Sequence, residues 1–433
     1  MNKKLAGTIV ILAGAFCLLV SPAPAVAQGN TWVGANLAQM VEAAGWRLGI
    51  MRINAAFTLA NAGYDTDVYY GYTEESVPDW TFSAGLPVQI LVPLGKKVVL
   101  DVSDTPQYLF YLDTERERAW NNTFRGLLHI ALDRVYVQAG GRRADVHMRF
   151  SPELDINVHE KRDGLDGLFF WQASQSTSFA FLYNWARYDY GDAEYLGMTI
   201  SEMLNRDEQH FDLVTYIQPS SRTRLSLDGQ YGAFAFLTGE GARDAQSYAV
   251  FGGIEFLPRA GEVVAGIGLR GGLRLGYMYF DMEEPDLNDG SGFSGEADII
   301  LDLTARTSLH GTFSRGFQFS IYAGATYFVS TRYGGGFLHR LSPRAALSYD
   351  VSFVRTSYPE GGVIEGLQDQ FTSHAVNLNL RLGRHLDMVF MGTFGRRTRE
   401  GSDFLGNRSF FGLGLTYGHV PAGMSAPISG MSR

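Results

Sequence analysis

The stretch "HAVNLNLRLG", His374–Gly383, poses the question on which the fold turns. Val376, Leu378, Leu380 and Leu382 alternate with Asn377, Asn379 and Arg381. Successive side chains of a strand point to opposite faces, so this segment carries one apolar wall and one polar wall. A soluble β-sandwich would turn the apolar wall to a core. A transmembrane barrel turns it to lipid and keeps the polar wall for its lumen.

The same alternation recurs along the chain. Leu225, Leu227 and Tyr231 oppose Arg224, Ser226, Asp228 and Gln230; Ala297, Ile299, Leu301 and Leu303 oppose Asp298 and Asp302. Leu347, Tyr349, Val351 and Phe353 oppose Ser348, Asp350 and Ser352. Ala265, Ile267, Leu269, Leu273, Leu275 and Tyr277 oppose Arg270 and Arg274. Locally a sandwich gives the same pattern, but these segments run to about 12–16 residues, beyond the five or six usual in a sandwich and suited to a tilted strand crossing a membrane.

Tight polar turns punctuate the segments: "PLGKK" (93–97), Asp133-Arg134, "SQST" (174–177), "PSSR" (219–222), "PRAGE" (258–262), "TART" (304–307), "SPRA" (342–345) and "GRH" (383–385). Between them lie longer stretches rich in Asp, Glu, Gly and Asn, such as "DMEEPDLNDGSG" (281–292) and "RRTREGSDFLGN" (396–407). Short turns at one end and long loops at the other are the asymmetry of an outer-membrane barrel. A turn spacing of roughly forty residues also fits propeller blades, but each period here holds two long strands, not four short ones, and no Trp-Asp motif recurs. The expectation is an all-β, antiparallel, up-and-down transmembrane barrel of about eighteen strands, with long extracellular loops and short periplasmic turns. Sixteen is the alternative, because Ala119–Leu168 is poorly patterned.

Composition agrees. Glycine numbers 51, aromatics reach 13%, and charged residues stop at 19%. Lys3 and Lys4, the apolar run Thr8–Val20 and Ala25-Val26-Ala27 read as a signal peptide over residues 1–27. Its removal takes away the only cysteine, Cys17, and leaves no apolar run long enough for a spanning helix. It also moves the net charge from −9 to about −11, which argues against a nucleic-acid partner. Residues 28–45 form a periplasmic segment in which Leu37, Met40, Val41 and Ala44 share a helical face behind a cap at Asn36; it is a short periplasmic helix, a partial plug or a frayed terminus. The barrel is expected over residues 46–419, with a tail at 420–433. Tyr69, Tyr70, Tyr72, Trp80, Tyr188 and Tyr190 fall near strand ends, where interfacial aromatics belong.

Turning apolar residues outward puts Arg224, Arg270, Arg274, Arg332, Arg340 and Arg381 inward, facing Asp212, Asp228, Asp298, Asp302, Asp350 and Glu255. These are the candidate selectivity residues. They brace the wall as paired charges, or the arginines nearest the short turns (Arg224, Arg340, Arg381) draw an anionic chain inward. Enzymatic chemistry finds no support in motifs: the nine histidines are scattered and no His-Glu-x-x-His sequence occurs. His210 near Asp212 and His310 near Ser308 are the same-face neighbours any sheet produces. Asp286, Asn288 and Asp289 miss the calcium-loop spacing. Neither a metal nor a cofactor is expected.

Two resemblances add to this reading. "SFFGLGLTYG", the last strand, resembles the C-terminal assembly signal of bacterial outer-membrane barrels, with Gly412, Leu415 and Tyr417 at the matching positions. "AGYDTDVYYG" (62–71), "LNRDEQHFDLVTYIQPSSRTRLSLDGQY" (204–231) and "STRYGGGFLHRLSPRAALSYDVSFVRTSYPE" (330–360) resemble outer-membrane β-barrel porins of the second type, a family associated with exopolysaccharide operons. The resemblance implies a bacterial outer-membrane channel assisting polysaccharide export. A general or nutrient porin, or a structural barrel plugged by the loop at 187–207 or by residues 28–45, is the alternative. The implied partners are outer-membrane lipid and lipopolysaccharide, the barrel-assembly machinery and periplasmic polysaccharide export proteins.

Overall fold

A computed structural model describes residues 33–69, 76–151, 153–154, 156–195, 197–238, 243–257, 268–284, 287, 289–322, 326–358, 368–399 and 405–420. The expected signal peptide, the tail beyond residue 420, and Tyr70, Tyr72, Asp286 and Asn288 lie outside them.

Among the described residues, eighteen long strands follow one another around a closed antiparallel barrel. They are β1 (Met51–Asp65), β2 (Asp79–Gly85 continued by Val88–Pro93), β3 (Val98–Asp104 continued by Gln107–Tyr111), β4 (Ala119–Ala131), β5 (Val135–Met148) and β6 (Val158–Gln172). Next come β7 (Thr177–Tyr190), β8 (Arg206–Ser220), β9 (Thr223–Phe236), β10 (Ala245–Phe256), β11 (Gly268–Met282) and β12 (Gly290–Asp302). The last six are β13 (Thr307–Phe319), β14 (Tyr327–Ser342), β15 (Ala345–Ser357), β16 (Gln368–Arg381), β17 (Leu386–Arg399) and β18 (Leu405–Gly418). Pro87 and Pro106 explain the two interruptions. Neither can donate to a ladder, and they sit side by side, flanked by the pairs Gly85↔Gln107 and Val88↔Asp104.

Closure runs between β1 and β18, from Ala56↔Gly418 to Asp65↔Phe410, and an Arg408–Asp65 ion pair ties the outer end of the seam. Gly63 belongs to the seam for a steric reason: a Cβ there would collide with the Phe411 carbonyl. Among the described residues none of the eighteen long strands is left with an open edge toward lipid, as a bilayer requires.

The eight expected turns all fall at one end. Seven connections there are two to four residues long. The eighth, "PRAGE" (258–262), lies between Phe256 and Gly268 and outside the described residues. Ala265 and Ile267, read as strand, lie outside the described residues. Longer loops occupy the other, extracellular end, in keeping with the expected asymmetry.

The outward face changes character along each strand. On β7 it runs Phe179, Phe181, Tyr183 and Trp185, and then Arg187 and Asp189. Tyr183, Phe211, Tyr231 and Tyr248 stand in register across β7–β10, with ring centroids 4.9, 6.2 and 5.4 Å apart. Beyond them, Arg143, Asp163, Arg187 and Asp207 stand in register across β5–β8. A 14-residue strand tilted by about 40° climbs about 35 Å along the barrel axis, more than the bilayer's apolar core. The charged row marks where the strands have left it.

Tyr188 and Tyr190 correct one expectation. They alternate with Arg187 and Asp189, so they point inward, and they are buried instead of lying at the interface. Tyr69 is buried too, whereas Trp80 is exposed on the outer face. A helix, α1 (Val33–Glu42), begins before Asn36, so the expected cap falls inside it.

Candidate functional site

The interior of this barrel is the candidate site, and it has three levels. At the periplasmic mouth α1 lies against the inner wall. Its Leu37 packs with the inward-facing Leu91 and Val99, and Met40, Val41 and Ala131 complete the contact. The Asn54 side-chain oxygen accepts the Gly45 amide at 2.8 Å and fixes the chain where it leaves the helix. The sequence offered a periplasmic helix or a partial plug, and the described residues place the helix within the mouth.

The candidate arginines sit on the interior face, and carboxylates meet most of them. Arg224 pairs with Glu255, Arg270 with Asp302 at 3.1 Å, and Arg381 with Asp387 at 3.3 Å. Arg340 donates to the Ala305 carbonyl at 3.2 Å, beside a short turn. Arg332 lies halfway up the wall and is half-buried. Asp298 faces the same interior with no ion-pair partner among the described residues.

Midway up, Arg274 pairs with Asp228, reaches Glu296 at 3.4 Å and lies 4.2 Å over the Phe251 ring. Asp212 stands opposite Gln230 in the register of β8 and β9. Gln230 donates its amide to Asp228 at 3.0 Å, and all three side chains are buried. His210 turns its Nε2 toward Glu208 (3.1 Å) and His310 toward Asp350 (2.8 Å).

At the extracellular end the loops fold inward. Leu154, Ile200, Leu204 and Ile321 come from three different loops and pack against the inward-facing Ala186, Tyr188 and Tyr190. Beside them Phe234, Phe236, Phe280, Phe317 and Tyr327 form a second apolar cluster. Burying so many apolar side chains where a water-filled lumen would otherwise open is the reason the loops stay in.

Polar groups pin this stopper. Glu153 accepts hydrogen bonds from the Ser320 hydroxyl (2.7 Å), the Ile321 amide (2.9 Å) and the Tyr358 hydroxyl (2.8 Å). Burial pushes its carboxyl above the ordinary range. Burial also raises the Tyr358 phenol, with the Glu153 charge adding to it. Arg243 donates to the carbonyls of Met203 (2.8 Å), Ser320 (2.7 Å) and Thr326 (2.9 Å), and burial together with nearby Arg206 lowers its pKa to about 10. Arg206 pairs with Glu208 at 2.7 Å and lies 4.6 Å over Tyr188. Glu117, in the next loop, feels burial first. Hydrogen bonds from His147, Asn157 and Tyr69 outweigh that and hold it below the usual carboxylate range.

Sequence reasoning named the 187–207 loop as a block of the lumen but singled out none of Glu153, Arg243, Ile200 and Leu204. They lie in loops, where no periodicity shows which side chains turn inward. It placed Asp212 on the interior wall but drew nothing from it.

A closed, lipid-facing wall around a charged interior defines an outer-membrane channel of the porin class. The chain belongs to the family described as Putative beta-barrel porin 2, whose model matches residues 170–407. Among solved structures it is similar to the outer-membrane protein OpdK of Pseudomonas aeruginosa, with 9% identity, a TM-score of 0.50, and coverage of 84% of this chain and 98% of that one. It is also similar to P. aeruginosa OccK2 (OpdF), solved with glucuronate, with 11% identity, a TM-score of 0.50, and coverage of 85% and 98%. At such identities the likeness shows the fold alone. No curated protein matches the chain. The localisation follows from family and fold together: the bacterial outer membrane.

Proposed function

We propose that this protein is a porin-type channel for small hydrophilic solutes whose outer end is held shut by its own loops. The carrying observation is the contrast between levels: a charge-lined interior below, an apolar stopper pinned by Glu153 and Arg243 above. A permanently sealed structural barrel has little use for a charged interior. The paired arginines support a braced wall over a free cationic ring. Planar-bilayer recording of the refolded barrel tests the reading. Discrete openings from a mostly closed state are expected. Replacing residues 319–326 by a Gly-Ser linker is expected to lengthen them. A barrel silent with and without that replacement overturns the channel.

Polysaccharide export is the second reading, carried by the family resemblance and by the inward aromatics Tyr188, Phe234 and Phe280, which would meet sugar rings once the loops undock. Export calls for glycosyltransferase genes beside this one and for a periplasmic export partner. Loss of secreted polysaccharide on gene deletion supports it, and a growth defect on one carbon source supports nutrient uptake instead. In either case Gly412, Leu415 and Tyr417 are the proposed assembly signal, with Leu415 and Tyr417 on the outward face of β18.

A further inference from the structure

We infer that Asp212, Asp228 and Gln230 form a station for a monovalent cation halfway along the lumen, an inference that rests on the channel reading above. The three side chains share the interior face of β8 and β9. Asp212 and Gln230 are direct cross-strand partners, which sets their Cβ atoms about 5 Å apart. Asp228 lies two residues from Gln230 on the same face.

The first argument is charge. Among the described residues the group holds three carboxylates (Asp212, Asp228 and Glu296) and one guanidinium, Arg274, which contacts the last two and acts on Asp212 from farther off. Asp212 has no ion-pair partner among the described residues. It is 8% exposed and Asp228 is 4% exposed. A buried charge without a full counter-charge costs several kcal/mol, so the group takes up either a proton or a positive partner, and we assign the partner.

The second argument is unmet acceptors. Asp212 Oδ1, Asp228 Oδ1 and Gln230 Oε1 are buried without a hydrogen-bond partner. Gln230 is only 1% exposed and donates one amide hydrogen to Asp228, while its oxygen has no donor. On the next strand Ser247, 0% exposed, has an unpartnered Oγ, and this hydroxyl closes in on the face of Gly232 one step above. Arg274 Nε and Nη2 are unmet donors of the group, but Arg274 is turned to Asp228 and Glu296, and Ser247 Oγ shares the face of Gly232 with the unmet His210 Nδ1. Buried polar groups in native proteins are satisfied, so the oxygens of Asp212 and Gln230 are met from outside.

The donor set selects the ligand. Among the described residues no cluster of three or more His, Cys, Asp or Glu side chains could hold a metal ion, so a tightly held transition metal is a poor match. Two carboxylate oxygens and an amide oxygen suit K⁺ or a primary ammonium group, bound loosely enough to move on. The station lies below the loop stopper and above the Arg224–Glu255 pair, on the path any solute follows.

Two measurements test this. Reversal potentials in a KCl gradient are expected to show cation preference, with K⁺ and ethylammonium compared in separate arms. Asp212→Asn is expected to lower the cation-to-anion permeability ratio about tenfold, and Gln230→Met to lower it less. Heat-modifiable migration checks that both variants fold. Infrared difference spectra of the barrel in detergent, with KCl against N-methylglucamine chloride, are expected to shift the Asp212 carboxylate band in wild type and not in Asp212→Asn. Equal reversal potentials in wild type and Asp212→Asn, or a protonated Asp212 at neutral pH, overturn the station. A cation-dependent infrared shift in a barrel that never conducts retains the station and overturns the channel.

Discussion

Glu153→Gln is the perturbation whose size the structure lets us work out. Glu153 holds two loops and the start of a third together through Ser320, Ile321 and Tyr358. Glutamine keeps one carbonyl oxygen for the two hydroxyls and turns an NH₂ group toward the Ile321 amide, donor against donor. Leaving that buried donor unmet costs about 1–3 kcal/mol, and each 1.4 kcal/mol is tenfold, so the docked state of the stopper loses roughly fivefold to 150-fold in population. Glu153→Ala leaves all three donors unmet and costs more. The wall ladders use none of these bonds, so stability of the barrel to urea stays at the wild-type value. Single-channel closed times at fixed voltage read the effect directly and should shorten by that factor. The raised carboxyl pKa adds a signed pH effect. A carboxyl whose pKa is higher in the docked state binds its proton more tightly there. The resulting stabilisation is full below the unperturbed value of 4.5 and fades as pH rises through the raised value, so closed times shorten on that rise. Closed times that superpose for wild type, Glu153→Gln and Glu153→Ala would refute the loop latch.

Three further outcomes follow. Deleting residues 33–42 uncovers Leu91 and Val99 and should raise unitary conductance with unchanged heat-modifiable migration; equal conductance would show that α1 does not narrow the mouth. Leu378→Arg places a charge in lipid and should cost about 2–4 kcal/mol in urea unfolding from vesicles, while Asn377→Arg, one residue away on the lumen face, should cost far less. Arg206→Met strands Glu208 in the stopper and should cost about 3–5 kcal/mol of local stability, seen as faster proteolysis of the 191–205 loop, with Arg206→Met/Glu208→Leu recovering much of it.

Much of the wall was legible in the sequence because lipid demands a strict outward pattern. Leu225, Leu227 and the Val376–Leu382 series read true for that reason. The expectation weakened between Ala119 and Leu168, where eighteen strands competed with sixteen. The structure shows why. On β6 the outward residues change from Trp171, Phe169 and Leu165 to Asp163, Lys161 and His159 as the strand leaves the bilayer, so no single alternation spans it. Inward Phe170 and Leu168 blur it further, since they join an interior apolar patch with Tyr136 and Val214. The Arg and Asp residues of the lumen were legible from parity alone. Their pairing was not, because Arg224 meets Glu255 and Arg270 meets Asp302 only once register is set. The stopper was the least legible part. Its residues are held by contacts between loops far apart in the chain, as Glu153 is with Ser320.

The central claim is that lipid, not a second sheet, bathes the outward residues. Spin labels placed singly at positions 378 and 377, in a chain without Cys17 and reconstituted in vesicles, measure this. The account predicts that the label at 378 collides with oxygen dissolved in the bilayer and is shielded from an aqueous nickel complex, and that the label at 377 shows the reverse. A label at 378 that the aqueous complex reaches freely would contradict it.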